Sequence, residues 1–288
     1  MASTAFKFDG VGGMAEPYAP ELYNPSSVAQ LVADLDAIST AELAFFGEHG
    51  WLAIRHALEP AAIEEANRGI EDLVAGRNQG FDGVYHEHAA RDDLETASTS
   101  CSVDTVRKLA WFVEHNDRLQ AVAEHPGITG LVQQLLGGLK PRIFQDMALL
   151  KPPHIGREKP WHQDHAYFDL PLATPVVGVW IALDEATVAN GCMQLLDGGH
   201  KLGPIPHWQR RDWQICDSEI MGKRSFACPL PPGGALFFSS YLPHGTPSNK
   251  SPVRRRALQF HYCPANAVKT GPEERLAAFG TEGKDVSC

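Results

Sequence analysis

Three side chains that suit a metal ion stand out in this sequence. Trp161-His162-Gln163-Asp164 supplies a histidine and a carboxylate two residues apart, and Pro243-His244-Gly245-Thr246 supplies a second histidine. Two imidazoles and one carboxylate form the ligand set of the 2-His-1-carboxylate facial triad, which holds a non-haem ferrous ion and leaves positions open. A metal with open positions is a reaction centre, so His162, Asp164 and His244 are the predicted catalytic metal ligands.

Arg255 follows the second histidine and could bind a carboxylate. It begins the segment 255–262, whose alternation places residues 255, 257, 259 and 261 on one face of a strand. If that face lies inside the protein, the planar and always charged guanidinium can hold a carboxylate through two hydrogen bonds. Arg254 and Arg256 compete for this role, and at least one of the three is expected in solvent.

The elements that must position these residues change character along the chain. An irregular arm is predicted over about residues 1–35. The next part of the chain is predicted to be mostly helical, with helices at 40–46, 59–75 and 103–136, a strand at 51–54 and a long polar loop at 78–100. Short strands punctuated by Pro, Gly and Asn follow, at 141–151, 161–168, 176–184, 193–196, 235–239 and 255–262. This order favours a single domain over 1–288, mainly β with flanking helices and built as a jelly-roll or cupin-like barrel.

Strand geometry then brings the ligands together. Residues two apart in a strand point to the same face, so His162 and Asp164 are expected to project together while Gln163 points away. His244 follows the apolar strand at 235–239, and a strand end can deliver it to the mouth of a barrel.

Composition excludes several classes of partner. The 288 residues are 43% hydrophobic and 21% charged, with a net charge of −10, which indicates a globular protein that binds neither nucleic acid nor an anionic membrane. No export signal or apolar stretch of about 18 residues is present. The six cysteines are scattered and are expected to be reduced thiols in the cytoplasm. The sequence carries no signal of an oligomeric state.

Other polar residues have simpler interpretations. His86-Glu87-His88 is expected to form a solvated or substrate-facing part of the 78–100 loop rather than a second metal site. His165 is expected to pack behind Asp164, and His207 to lie on the surface. Lys108 is interpreted as a solvated helix lysine, with a carboxylate partner as the alternative.

With these residues in view, the chain resembles the phytanoyl-CoA dioxygenase family of Fe(II)/2-oxoglutarate-dependent oxygenases. The resemblance spans about residues 40–265, and one motif departs from it, since Asp197-Gly198-Gly199-His200 stands where the family often has Pro-Gly-Ser-His. The motifs that carry it are Phe45-Phe46, Gly50-Trp51-Leu52, Lys151-Pro152-Pro153, Trp161-His162-Gln163-Asp164, Gly178-Val179-Trp180-Ile181-Ala182-Leu183-Asp184, Asn190-Gly191-Cys192-Met193, Gly198-Gly199-His200, Pro232-Gly233-Gly234, His244-Gly245-Thr246 and Arg255.

The resemblance implies a double-stranded β-helix that uses Fe(II), 2-oxoglutarate and dioxygen. It implies that Arg255 and Thr246 bind the distal carboxylate of 2-oxoglutarate and that Trp180 walls the cosubstrate pocket. Gln145 is either a further contact to cosubstrate or substrate or an ordinary strand amide. The iron ligands would be His162, Asp164 and His244.

The implied activity is hydroxylation or desaturation of an unactivated C–H bond in a small organic metabolite, such as a natural product intermediate, with release of succinate and CO2. Related halogenases replace the carboxylate ligand with a small residue, so Asp164 disfavours halogenation. The alternatives are an acyl-CoA 2-hydroxylase of the same family, a cosubstrate-independent cupin-type enzyme and a non-catalytic metal-binding module.

Overall fold

The computed structural model describes residues 6–8, 17–96 and 102–280. Two of the predicted thiols, Cys101 and Cys288, lie outside these residues. The other four cysteines are free thiols and are buried: Cys192, Cys216, Cys228 and Cys263. Within the described ranges, every helix is too short or too polar to cross a lipid bilayer.

Strands dominate the second half of the chain, and helices lie mostly in the first half. The strands are β1 Lys7–Phe8, β2 Ser27–Val28, β3 Val32–Asp34, β4 Trp51–His56, β5 Val84–His86, β6 Val106–Ala110, β7 Pro141–Lys151, β8 Lys159–His162, β9 Val177–Ala182, β10 Met193–Leu196, β11 His207–Gln209, β12 Trp213–Ile215, β13 Ser225–Cys228, β14 Ala235–Ser239, β15 His244–Thr246 and β16 Arg255–Pro264. The helices are α1 Thr40–His49, α2 Pro60–Val74, α3 Arg91–Thr96, α4 Asp117–Ala123, α5 Pro126–Leu135, α6 Asp217–Ile220 and α7 Glu273–Phe279.

Two sheets build the site. A nine-stranded sheet has the order β1-β5-β6-β7-β16-β9-β14-β4-β3, with β16 at its centre, and a five-stranded sheet has the order β2-β13-β10-β15-β8. An apolar cluster between them combines Trp180, Phe238 and Ala257 of the large sheet with Leu195 and Ala227 of the small one. The sheets therefore pack face to face.

The prediction of a mainly β protein with flanking helices is confirmed. In the described part of the chain, the strands form separate hydrogen-bonded sheets, so the closed barrel expected from the sequence is not present there.

Helices cover the outer face of the large sheet. In α2, Ile63, Ala66, Ile70 and Leu73 recur at helical spacing and pack with the outward-facing residues of the sheet, such as Phe260. The alternation predicted for β16 is confirmed. Leu258 and Phe260 lie in this outer cluster, whereas Ala257 lies in the apolar cluster between the sheets. Arg255, Gln259 and His261 consequently face the space between the sheets.

Two expectations from the first half of the chain are wrong. The segment 103–136 is not continuously helical, because residues 106–110 form β6 between β5 and β7. The segment 78–100 is not only a loop, since it contains β5 and α3. For β5 and β6, hydrogen bonds to neighbouring strands outweigh the local pattern. In the N-terminal arm, β2 pairs with β13 and β3 pairs with β4.

Candidate metal centre and its cavity

The three predicted metal ligands converge on one point between the sheets. One ligand atom from each of His162, Asp164 and His244 lies within 4.8 Å of the other two, and all three residues are buried. Asp164 Oδ1 is 3.3 Å from His162 Nε2 and 3.6 Å from His244 Nε2. These distances leave room for an ion bound by all three atoms.

Strand pairing aligns the two histidines. β8 and β15 are antiparallel, and His244 lies directly opposite His162 in their register, with ring centroids 4.3 Å apart. Asp164 reaches the site differently from the prediction, because β8 ends at His162 and Asp164 begins a 3-10 helix, Asp164–Tyr167. The turn, rather than strand alternation, aims the carboxylate at the histidines.

Backbone carbonyls fix the orientation of both imidazoles. The Nδ1–H of His162 donates to Pro160 O at 2.8 Å, and that of His244 donates to Leu242 O at 2.9 Å. Because a carbonyl only accepts, the proton resides on Nδ1 and the Nε2 lone pair is available to a metal. Burial lowers the pKa of His244 to about 4, so this imidazole is neutral near pH 7.

The carboxylate of Asp164 is held from its other side. Its Oδ2 is 2.7 Å from His261 Nε2 and 3.4 Å from Gln259 Nε2. Burial acts to raise the pKa of Asp164, but the neighbouring histidines, His261 first and then His244, hold it well below its ordinary value. Sequence reasoning missed both contacts, although the alternation from Arg255 already grouped Gln259 and His261 with it on one face of the strand.

The donor set fits ferrous ion. Two imidazoles and one carboxylate are the nitrogen and oxygen donors of facial-triad iron sites. Each imidazole has its second nitrogen hydrogen-bonded, as metal-bound histidines almost always do.

A cavity of about 210 Å³ opens beside these ligands. The inner face of the large sheet, at β6, β7, β9 and β16, forms one wall, and β8 and β15 of the small sheet form the other. Its lining residues are Arg107, Lys108, Gln145, Met147, Leu149, Leu150, Lys151, Arg157, Lys159, His162, Asp164, Tyr167, Phe168, Trp180, Met193, His244, Gly245, Thr246, Arg255 and Gln259.

Arg255 is a buried cation of this cavity whose surroundings fit an anionic ligand. Its Nη1 donates to Leu149 O at 3.0 Å, its guanidinium lies 5.3 Å from the Trp180 ring, and its Nε has no hydrogen-bond partner among the described residues. Burial lowers its pKa to about 10. The competing arginines are occupied, since Arg254 pairs with Asp104 and Arg256 with Asp184. A carboxylate of 2-oxoglutarate therefore has a fitting partner here.

The other predicted cosubstrate residues line the same cavity. Thr246 lies on β15, two residues after the predicted metal ligand His244, and is buried. Trp180 is fully buried on β9, opposite Gln259. Gln145 lies on β7, opposite His261.

Several simpler interpretations are corrected by burial. His86 is not solvated, because it is 3% exposed and its Nδ1 lies 3.0 Å from Thr105 Oγ1. His207 is not on the surface, since it is fully buried and its Nε2 accepts a hydrogen bond from the Gln163 N–H. Lys108 lies on a strand that lines the cavity, not on a solvated helix. His165 is packed as expected, stacked on Tyr241.

A buried ion-pair cluster at the cavity wall was also missed. Glu87 is fully buried and accepts hydrogen bonds from Arg107 at 3.3 Å and from Arg157 Nε at 2.9 Å. The buried Lys151 donates to Arg157 O, and burial, with Arg255 nearby, holds its pKa well below the ordinary value. The sequence does not indicate that Glu87 pairs with Arg107 and Arg157, because the three residues lie in separate segments of the chain.

The chain is similar in sequence and in fold to known proteins. Residues 46–257 match the phytanoyl-CoA dioxygenase family. The chain is 23% identical over 239 residues to a probable phytanoyl-CoA dioxygenase of Caenorhabditis elegans, covering 78% of this chain and 75% of that protein. It is 26% identical over 240 residues to L-proline trans-4-hydroxylase of Streptomyces griseoviridis, covering 75% of this chain and 83% of that protein. Its fold is similar to the crystal structure of the non-heme alpha ketoglutarate dependent carbocyclase SnoK from nogalamycin biosynthesis, with a TM-score of 0.64 at 19% identity, covering 89% of this chain and 98% of that chain.

The fold, the buried donor set and the family match together define a non-haem iron, 2-oxoglutarate-dependent dioxygenase. Its cofactors are ferrous ion, 2-oxoglutarate and dioxygen. Within that class the chain belongs to the phytanoyl-CoA dioxygenase family, because the match to this family extends over most of its residues. The predicted family, enzyme class and cofactors are confirmed.

Proposed function

We propose that this enzyme hydroxylates or desaturates an unactivated C–H bond of a small organic metabolite and releases succinate and CO2. The observation that carries the proposal is that three metal-suited side chains and the buried Arg255 line a single cavity. The intact Asp164 supports oxidation rather than halogenation, because a carboxylate fills the position that a halide would need.

The chain's own residues divide the work of holding the ion. His162 and His244 would bind it through Nε2, and Asp164 would bind it through Oδ1, the oxygen that faces both rings. The bound ion supplies dioxygen activation coupled to decarboxylation of 2-oxoglutarate. The carbonyls of Pro160 and Leu242 keep the two rings in position.

The cosubstrate would be held beside the inner face of β16, where Arg255 and Gln259 line the cavity. Arg255 binds its distal carboxylate in two-point fashion, and the Thr246 hydroxyl donates to the same group. The buried ring of Trp180 excludes water beside Arg255, which strengthens this ion pair. Gln145, on the neighbouring strand β7 opposite His261, would contact cosubstrate or substrate.

The substrate occupies the rest of the cavity. Met147, Leu149 and Phe168 supply apolar surface there, which suits a hydrocarbon part held close to the metal, and fixing the nearest C–H bond sets the site of oxidation. One relative by sequence is named L-proline trans-4-hydroxylase. That name supports a small metabolite as the substrate of this enzyme.

An acyl-CoA 2-hydroxylase is the second candidate. The cavity is also lined by Arg107, Lys108, Arg157 and Lys159, and such cations suit the phosphates of a coenzyme A thioester. The phytanoyl-CoA dioxygenase names among the relatives support this alternative.

The two facing sheets support a double-stranded β-helix in a single domain. Their inner faces share one apolar cluster, and the metal ligands lie on the small sheet and in the turn that follows its strand β8. This is the arrangement in which a jelly-roll presents a site between its sheets.

The test is 2-oxoglutarate turnover, followed as succinate release, with a panel of free metabolites and acyl-CoA thioesters. His162→Ala, Asp164→Ala and His244→Ala should abolish both turnover and ferrous ion binding. The exposed His154 offers a matched control, and His154→Ala should retain both. Substrate oxidation that continues without 2-oxoglutarate would favour a cupin-type enzyme, and iron binding without any turnover would favour a metal-binding module.

A further inference from the structure

The two oxygens of Asp164 have separate surroundings. Oδ1 faces the metal-binding nitrogens, at 3.3 Å from His162 Nε2 and 3.6 Å from His244 Nε2. Oδ2 points the other way and lies 2.7 Å from His261 Nε2. Because a carboxylate only accepts hydrogen bonds, the N–H of His261 donates to Oδ2.

His261 is held in place by its surroundings. It is fully buried, and its ring lies 4.9 Å from that of Phe168. Its strand β16 is paired on both sides, with Gln145 opposite His261 on β7 and Gly178 opposite it on β9. Its Nδ1 has no hydrogen-bond partner among the described residues, and its Nε2 has two polar neighbours, Asp164 Oδ2 at 2.7 Å and Gln259 Nε2 at 3.1 Å. Asp164 is the nearer of the two and, as a carboxylate, can only accept the hydrogen bond.

We infer that His261 is a positioning residue that restricts Asp164 to a single metal bond by occupying Oδ2. Gln259 Nε2, 3.4 Å from the same oxygen, assists it. The inference rests on the proposed function of Asp164 as an iron ligand.

The restriction has a chemical consequence for the cosubstrate. A carboxylate can bind a metal through one oxygen or through both. With Oδ2 released, Asp164 could bind through both oxygens and occupy a coordination position that 2-oxoglutarate needs. Loss of the His261 bond should therefore weaken cosubstrate binding, although His261 is not expected to touch 2-oxoglutarate.

Two polar substitutions separate positioning from packing. Glutamine places an amide N–H near the position of the imidazole Nε2, whereas asparagine is too short to reach Oδ2. H261N should weaken binding of Co(II) or Fe(II), and of 2-oxoglutarate to the metal-loaded protein, by about 10- to 100-fold. H261Q should remain near wild type in both affinities.

The measurements are anaerobic titrations, with the visible spectrum of the Co(II) protein as a second readout. A change in carboxylate binding should alter that spectrum in H261N but not in H261Q. The matched control is Y262F, one residue away on the opposite face, where the hydroxyl donates to Ala123 O at 2.7 Å. Y262F should leave the spectrum and both affinities unchanged.

The outcomes distinguish this inference from the proposed function. Wild-type metal and 2-oxoglutarate affinities in H261N, or equal losses in H261N and H261Q, would overturn the positioning role. If H261N does not fold, H261F replaces it as the variant without a donor, and wild-type affinities in H261F would also overturn the role. Failure of the wild-type protein itself to bind ferrous ion or 2-oxoglutarate would instead refute the proposed function.

Discussion

Replacing Arg255 with methionine should separate its role in binding from its role in stability. The substitution keeps a long unbranched side chain and removes the buried charge beside Trp180. If Arg255 binds the distal carboxylate of 2-oxoglutarate, affinity should fall steeply while the protein without ligand changes little in stability. An ordinary structural arginine would give the reverse pattern.

Both magnitudes follow from the surroundings of Arg255. Two hydrogen bonds between charged groups contribute about 1.5–3 kcal/mol each, so their loss should raise the Kd for 2-oxoglutarate by at least about 100-fold. Burial lowers the pKa of Arg255 to about 10, and the resulting penalty of about 3 kcal/mol is fully present at pH 7, below the folded pKa. Removing that penalty offsets the lost bond to Leu149 O, so the free energy of unfolding should change by less than about 1 kcal/mol.

Urea unfolding with and without 2-oxoglutarate measures both quantities. For a ligand at 100 times its Kd, the wild-type protein should gain about 2.7 kcal/mol, and Arg255→Met should gain almost none at the same concentration. The control is Arg256→Met, which breaks the 2.8 Å pair with Asp184 and should cost about 3 kcal/mol while retaining ligand stabilisation. An unchanged Kd in Arg255→Met would refute the assignment of Arg255.

Three further predictions address the pocket and its supports. Thr246→Val should raise the Kd for 2-oxoglutarate about 3- to 10-fold by titration, because one hydroxyl hydrogen bond is lost; an unchanged Kd would exclude that bond. Glu87→Gln leaves Arg107 and Arg157 without their shared carboxylate and should lower the free energy of unfolding by about 3 kcal/mol in urea; a loss below about 1 kcal/mol would contradict the buried cluster. In the metal-free protein, burial lowers the pKa of His165 to about 4, of His207 to about 3 and of His244 to about 4. Because the unfolded chain binds protons on these imidazoles at higher pH than the folded protein does, the free energy of unfolding should fall by about 2 kcal/mol for each of them between pH 7 and pH 5. A pH-independent free energy of unfolding over this range would contradict that burial.

The sequence predicted the parts of the site that depend on residue type and strand alternation. His162, Asp164, His244 and Arg255 carry chemistry that few other side chains offer. Alternation correctly grouped Arg255 with Gln259 and His261 on one face of β16, and in the structure that face lies toward the space between the sheets. The same alternation pattern includes His261. Its contact with Asp164, in the turn after β8, is seen only in the folded structure, where that turn lies against β16.

Features that depend on distant pairing could not be predicted. The residues of β6 follow a helical pattern locally, yet they form a strand because β5 and β7 supply hydrogen bonds on both sides. Asp164 lies in a 3-10 turn rather than a strand, since the chain must bend there to aim the carboxylate at His244. The burial of His207 likewise depends on Gln163, whose N–H donates to it across the fold.

The charge of the cavity opposes that of the whole chain. The net charge is −10, yet six cationic side chains and one carboxylate, Asp164, line the cavity: Arg107, Lys108, Lys151, Arg157, Lys159 and Arg255. Glu87 and Asp212 neutralise part of this charge. Ferrous ion adds two positive charges to this environment, and 2-oxoglutarate brings two negative ones.

Iron and a dicarboxylate should therefore strengthen each other's binding even without chelation. Succinate lacks the keto oxygen that completes a chelate with the metal, so its effect reports mainly the electrostatic part of this coupling. Succinate should raise the affinity for ferrous ion, and by reciprocity ferrous ion should raise the affinity for succinate by the same factor. Arg255→Met should reduce this coupling, because it removes the cation that holds the dicarboxylate near the metal. Independent binding of succinate and iron in anaerobic titrations of the wild-type protein would indicate that the surrounding ion pairs already screen the two sites from each other.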